Sequence, residues 1–390
     1  MKKWLFIFLF VSIKCIGNDS LLIKRLFQNL LNKQQLTTNF FVEGSFISYR
    51  QHSNSDNLKQ DNNIFFTALI AYTLQDLKPY LTNEEKVIAD TIINRASKAF
   101  SHYQNKNKRL SYNFWRTDTV DNFFPNDHIL KLFRKSLKLP DDLDDTSIIL
   151  AALNVDDSTA EAAHKTMQYF VNGNNNTIKN TYKKYKNIPA YSTWYGVKMP
   201  IDFDFGVHCN ILSFVNKYNL PWQKADSVTY DLILKMIDEK LYLTSPKYIS
   251  PYYSYTPVLL YHIARLTQSK KLPELENRKQ QIIDDALNEF NKTGNTLYKT
   301  LLATTLLKFG VHTNEFILDS SIANGSLNTD EFIYYTGHLF GHLNNTIKKV
   351  ASNMKATEYK WFCSAFNDCL LLEYLLLKNR KSLIAFMGKM

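Results

Sequence analysis

The sequence predicts an all-α protein, specifically an α/α toroid in which a ring of buried helices is wrapped by a second layer of amphipathic ones. Three observations carry this prediction. Apolar residues recur at three- and four-residue spacing along most of the 390 residues, and no segment sustains two-residue alternation. Glycine and proline are scarce, at 11 and 10 residues, which disfavours a turn-rich β architecture. Finally, the helical segments are of two kinds that alternate along the chain: some are apolar nearly all round and must be buried, while others carry a charged face and belong at the surface.

The chain opens with MKKWLFIFLFVSIKCIGND, two lysines followed by an apolar run from Trp4 to Ile13 and a small-residue site near Gly17. That run is shorter than a bilayer core of about 30 Å requires at about 1.5 Å per residue. Residues 1–17 therefore read as a secretory signal peptide, and residues 18–390 as one exported domain, periplasmic or extracellular. An uncleaved segment acting as an anchor, with peripheral membrane contact, is the alternative.

After the leader, NIFFTALIAYTL predicts a buried helix at 63–74, and NEEKVIADTIINRASKAFSHY a surface helix at 83–103. A capped, apolar helix follows at 142–153, with a surface partner at 158–170 whose polar face is STAEAAHKTMQYF. The pattern repeats with buried 205–215 and surface 223–241, then buried 253–266 and surface 272–290. Buried helices at 296–309 and 363–377 complete the set. Aligning the buried segments puts Thr67, Thr146, Asn210, Thr256, Thr300 and Asp368 in register in their early turns. An alternation with a loose period of roughly 40–80 residues is a repeat architecture. The last segment is apolar where an open solenoid of helix pairs would want a polar cap, so a closed ring of five or six helical hairpins is expected. The loops and first turns preceding the inner helices should then share one mouth, where helix N-termini favour negative charge.

The net charge of +11 arises from lysines scattered among Asn-rich loops such as NNNTIKNTYKKYKN, with no nucleic-acid-binding signature beside them, so no nucleic-acid partner is expected. Beyond Cys15 only Cys209, Cys363 and Cys369 remain, which is neither a disulfide framework nor a zinc motif. No Gly-rich phosphate loop, G-x-S-x-G elbow or Cys/His nucleophile signature occurs. Neither a cofactor nor a metal is implied.

At the predicted mouth the stretch LPDDLDDTSIILAAL places Asp141, Asp142, Asp144 and Asp145 at the start of a buried helix. Acidic residues cap helices and complement the dipole for about 0.3–1 kcal/mol each, and one or two suffice. Four in a partly buried mouth repel one another, and burial with like charge nearby raises carboxyl pKa values toward those of a general acid at neutral pH. Residues Asp142 to Thr146 resemble the D-x-D-D-T motif of class II, protonation-initiated terpene cyclases, which are themselves built from α/α toroids. That resemblance implies Asp144 as the acid protonating an isoprenoid alkene or epoxide, with Asp142 and Asp145 tuning it. It covers one motif and the general helix pattern; the Gln-Trp repeats of squalene cyclases are missing.

A second group lies in YSTWYGVKMPIDFDFGVHCNIL, with Trp194 and Tyr195 ahead of Asp204, His208 and Asn210. Asp204 and His208 are an i, i+4 step, the spacing of a carboxylate that orients or charges an imidazole, and equally that of an N-cap and a core histidine. The stretch is also similar to the β subunit of protein prenyltransferases, but Asp204 and Cys209 lie too far apart for that zinc site. Aromatic residues complete the mouth: Tyr112 and Trp115, with Phe124 to Asp127 in the loop before the acidic helix, and Tyr253. Such a rim suits an isoprenoid chain or a sugar ring. His338 and His342 form another i, i+4 pair without a third ligand. The sequence thus points to a small-molecule substrate, isoprenoid by the motif or glycan by analogy with exported toroids, in which case Asp144 and Asp204 would be a glycosidase pair. A non-catalytic toroid that binds a lipid or glycan is the third reading.

Overall fold

The computed structural model describes residues 19–107, 109–118, 139–196, 199–313, 316, 332–338 and 344–381. Helix α1 covers residues 19–33, outside the predicted set. The next helices are α2 (Phe65–Leu77), α3 (Asn83–Phe100), α4 (Leu143–Leu153), α5 (Asp157–Met167), α6 (Phe205–Lys217) and α7 (Lys224–Asp238). Two single turns, α8 (Leu241–Thr244) and α9 (Pro246–Ile249), lead to α10 (Thr256–Ser269). There follow α11 (Pro273–Glu276), α12 (Lys279–Lys292), α13 (Thr296–Lys308), α14 (Asn345–Ala351) and α15 (Ser364–Leu376).

All six segments expected to be buried are helices, and their residues are buried on nearly every side. In α2 every residue from Phe65 to Leu74 is inaccessible, as is every residue of α4 from Leu143 to Ala152. Their packing order is cyclic: α2 packs on α4, α4 on α6, α6 on α10, α10 on α13, α13 on α15, and α15 returns to α2. The four segments expected at the surface are also helices. Of these α3 covers α2 and α4, α7 covers α6, and α12 covers α10 and α13. The surface helix α3 starts at a capping box in which Thr82 and Glu85 satisfy each other's backbone N–H groups.

The molecule is mostly helical, but the all-α expectation needs correction. Strands β1 (Tyr49–His52), β2 (Leu58–Gln60), β3 (Tyr335–His338) and β4 (Glu358–Phe362) form an antiparallel sheet in the order β2-β1-β4-β3. Strand β1 pairs Tyr49 with Phe362, and β3 pairs Tyr335 with Trp361. The physical reason the sheet is not legible is its strand length of three to five residues, too short for alternation to register, and a central pair, β1 with β4, whose members lie some 300 residues apart in the chain. Strand β4 runs into α15 and the β1–β2 hairpin runs into α2, so the sheet lies at the end of the bundle where these helices begin.

The aligned polar residues do not share one role. Thr67 and Thr146 anchor preceding loops, accepting hydrogen bonds from the backbone N–H of Phe46 (3.0 Å) and of Tyr112 (2.9 Å). Asp368 pairs with Lys33 of α1 at 2.6 Å. Only Asn210 reaches the carboxylates of the acidic helix. Among the described residues no helix is long and apolar enough to cross a membrane.

Candidate functional site

Two helix starts build the site. The segment before α4 is held in extended form between two others, bridging Tyr112 on one side and Trp194 on the other at Asp142. Asp142 is the N-cap of α4 and accepts a hydrogen bond from the N–H of Asp145 at 2.7 Å. Asp204 is the N-cap of α6 and accepts from the N–H of Val207 at 3.1 Å. The capping reading of these two aspartates is therefore real, and it is also what aims their neighbours inward. Asp141 turns away, to Arg109, Asn105 and Ser111.

Asp142, Asp144, Asp145 and Asp204 are all buried, none exposing more than 4% of its surface. Asp144 accepts from the Tyr253 hydroxyl at 2.5 Å and from the Asn210 amide at 2.8 Å. Burial raises its pKa to about 6, and those two donors, with Arg265, hold it from rising further. The carboxyl groups of Asp142 and Asp145 are both pushed well above the ordinary carboxylate range, first by burial and then by neighbouring aspartate charge. Groups that interact this strongly titrate as a set rather than singly. Oδ1 of Asp145 has no hydrogen-bond partner. Asp204 also receives the Ser250 hydroxyl (2.6 Å) and the Tyr252 N–H (2.8 Å), yet burial lifts its pKa to about 7.

A cluster of aromatic rings joins these acids through Tyr253. Tyr335, at the start of β3, lies at its centre, with ring centroids 4.3 Å from Phe65, 5.4 Å from Phe114, 5.5 Å from Trp361 and 5.6 Å from Tyr253. Burial raises the pKa of its phenol, and the charges of Asp142, Asp144, Asp145 and Asp204 raise it further. Tyr335 retains partial exposure. Sequence reasoning missed it. Its signal was available in the Tyr-Tyr pair of IYYTGH, which was passed over for the histidines that follow.

The other expected residues divide into two groups. Asn210 and Tyr253 bind Asp144 directly, and Trp194 joins the rim through an edge-on contact with Tyr252 at 5.9 Å. Tyr112 contributes backbone only, and Trp115 packs edge-on against Phe114 while its indole N–H goes to Asp61 at 3.1 Å. Tyr195 lies outside the cluster, beneath Arg109 at 4.7 Å. The Asp204–His208 pair does not form. An N-cap residue has extended backbone and leaves the helix face, so i, i+4 spacing no longer brings the side chains together. Instead Nε2 of His208 bonds to the Tyr191 carbonyl at 2.8 Å, and burial lowers its pKa to about 4, which keeps it neutral. His338 faces Glu358 at 4.0 Å; His342 and the Phe124 to Asp127 loop lie outside the described residues.

The raised pKa of Asp204 has a measurable consequence. A carboxyl whose folded pKa lies above its ordinary 3.8 contributes stability in full below that value and loses it as the pH climbs through about 7. The melting temperature of Asp204→Asn should therefore improve relative to wild type between pH 4 and pH 7, at a slope approaching about 1.4 kcal/mol per pH unit. Parallel wild-type and variant profiles across that window would show that Asp204 is ionised throughout.

Compared with protein-family models and with curated proteins, the chain matches none. The functional reading rests on the geometry.

Proposed function

We propose that the chain is an exported α/α-toroid enzyme that uses aspartate general-acid chemistry on an apolar, isoprenoid-like substrate, in the manner of class II terpene cyclases. The cyclic packing of α2, α4, α6, α10, α13 and α15 supports the toroid. One observation carries the chemistry: Asp142, Asp144 and Asp145 are buried together at the start of α4, with the Asp144 carboxyl held by the hydroxyl of Tyr253, whose ring packs against Tyr335.

In this reading Asp145, rather than the Asp144 that the motif implies, delivers the proton. Asp144 accepts two hydrogen bonds, which favours its carboxylate form, whereas Oδ1 of Asp145 accepts none and burial pushes that carboxyl well up. The proton passes to one carbon of a substrate alkene, the π pair forms the new C–H bond, and a carbocation results. The charge left behind is stabilised by the N–H that Asp145 directs at Asp142 and by the start of α4. The faces of Phe65, Phe114, Tyr335 and Trp361 suit the cation. The ionised Asp144 adds an opposite charge and a base for the final deprotonation, so the enzyme ends with its protons redistributed and no redox partner consumed. A glycosidase needs water beside its carboxyls; the burial of these four, none more than 4% exposed, favours the isoprenoid.

Incubating the full chain with isoprenols and isoprenyl diphosphates, followed by gas chromatography and mass spectrometry, should yield cyclised hydrocarbon or alcohol. Hydrolysis of a glycan panel without any isoprenoid product would overturn the assignment.

A further inference from the structure

Apart from the acids, the molecule holds an open cavity of about 680 Å³, within the range of about 300–1,000 Å³ usual for small-molecule sites. It lies between the α8 and α9 turns, the start of α10, the end of α12 and the end of α14, with Tyr182 at one side. Among the described residues, none of its lining side chains bonds to Asp142, Asp144, Asp145 or Asp204. It is therefore a separate site.

The lining mixes hydroxyl groups with aromatic rings. Thr256 donates to the Tyr242 carbonyl at 2.8 Å, Thr244 to the Lys240 carbonyl at 3.2 Å and Ser352 to the Lys349 carbonyl at 3.3 Å. A hydroxyl that spends its hydrogen on the backbone keeps lone pairs with which to accept, so this wall offers acceptors to a ligand rich in O–H groups. The rings of Tyr182 and Tyr248 meet at 4.5 Å between centroids, and Tyr182 stays partly exposed. Tyr255, also partly exposed, stacks on Tyr298 at 5.8 Å. Acceptors beside flat apolar rings match a sugar, which carries O–H groups around its edge and C–H groups on its face.

Charge narrows the class further. Lys247 pairs with Glu358 at 3.0 Å, and Glu289, the carboxylate of the lining, pairs with Lys292 at 3.2 Å. Lys349 is the cation left over: its ammonium lies 5.4 Å from the Tyr182 ring centroid and 6.0 Å from that of Tyr248, with no carboxylate partner among the described residues. We propose that the cavity binds a short acidic oligosaccharide, its carboxylate on Lys349, a ring face on Tyr182 and its hydroxyls on Thr244, Thr256 and Ser352. This site does not rest on the proton-transfer reading, since none of these residues takes part there.

The test is isothermal titration of the full chain with trigalacturonate, with maltotriose as the neutral sugar and acetate as the bare anion. Trigalacturonate should bind saturably and more tightly than maltotriose, and acetate should give no saturable heat. Lys349 is exposed, so Lys349→Gln should melt as wild type does. It should weaken trigalacturonate binding about two- to fivefold at low salt and flatten the salt dependence of the affinity, because one exposed ion pair is lost. Tyr182→Leu should weaken binding several-fold, whereas Tyr182→Phe, which keeps the ring, should bind as wild type does. If Tyr182→Leu does not fold, the Lys349→Gln comparison still decides. Asp145→Asn should leave the affinity unchanged, which separates this site from catalysis. No binding of trigalacturonate, equal binding of maltotriose, saturation by acetate, or an unchanged affinity and salt dependence in Lys349→Gln would each overturn the proposal.

Discussion

On the proposed reading, Asp145→Asn should lower the turnover of an isoprenoid substrate by about 10²–10⁴, the usual worth of a positioned general acid, while its melting temperature at neutral pH should stay at or above the wild-type value. Asparagine keeps the size of the side chain, but it has no transferable proton. The stability expectation follows from burial: Asp145 exposes 1% of its surface and its pKa is pushed well up, so folding holds it in a form that neutral water disfavours. Removing an ionisable group there relieves that opposition. The companion variant Asp144→Asn separates the two assignments. Its Tyr253 and Asn210 donors would face an amide in place of a carboxylate, which should cost stability and some activity. If Asp144→Asn abolishes turnover while Asp145→Asn retains it, the acid is the residue the terpene-cyclase motif implies. If both retain turnover but melt lower, the four carboxyls serve the fold alone.

Gly206→Ala should destabilise the protein by about 2–4 kcal/mol, read from urea denaturation, for a reason that leads directly to the site. Gly206 occupies the first turn of α6, and a Cβ placed on it would lie 2.3 Å from Cδ2 and 2.8 Å from Cγ of Tyr253. Those atoms are near the root of a fully buried ring that also packs against His262 at 4.3 Å, Tyr334 at 5.8 Å and Tyr335 at 5.6 Å. The ring cannot swing aside without disturbing all three. Displacing it would also withdraw the hydroxyl from Asp144, so the Asp144 pKa should rise above about 6 in the variant, measurable by carboxyl NMR. Wild-type stability in Gly206→Ala would mean that the close approach of α6 and Tyr253 is slack rather than packed.

Helix positions were legible because the signal is local: apolar residues on every side of a helix leave it nowhere to go but the interior, and IIDDALNEF or EEKVIADTII announces a one-faced helix within a few turns. The gathering of Asp142, Asp144 and Asp145 was legible for the same reason, since a cap and its first turn are fixed by adjacent residues. Asp204 could be placed near them only by assuming that the buried helices lie side by side, which α4 and α6 do. Of the two readings the Asp204–His208 spacing allowed, the structure shows the N-cap with a core histidine, because i, i+4 spacing applies within a helix and not across its cap.

By itself the sequence determined the buried and surface helices, the caps at Asp142 and Asp204, and the aromatic and acidic character of the mouth, all of which follow from short-range periodicity and backbone hydrogen-bonding needs. Only the tertiary structure decided that Tyr335 packs among Phe65, Phe114 and Tyr253, and that Asp145 keeps an unpartnered oxygen while Asp144 does not. Each of these depends on contacts between segments tens to hundreds of residues apart, where burial and the identity of the facing group, neither of which a local pattern records, set charge and protonation.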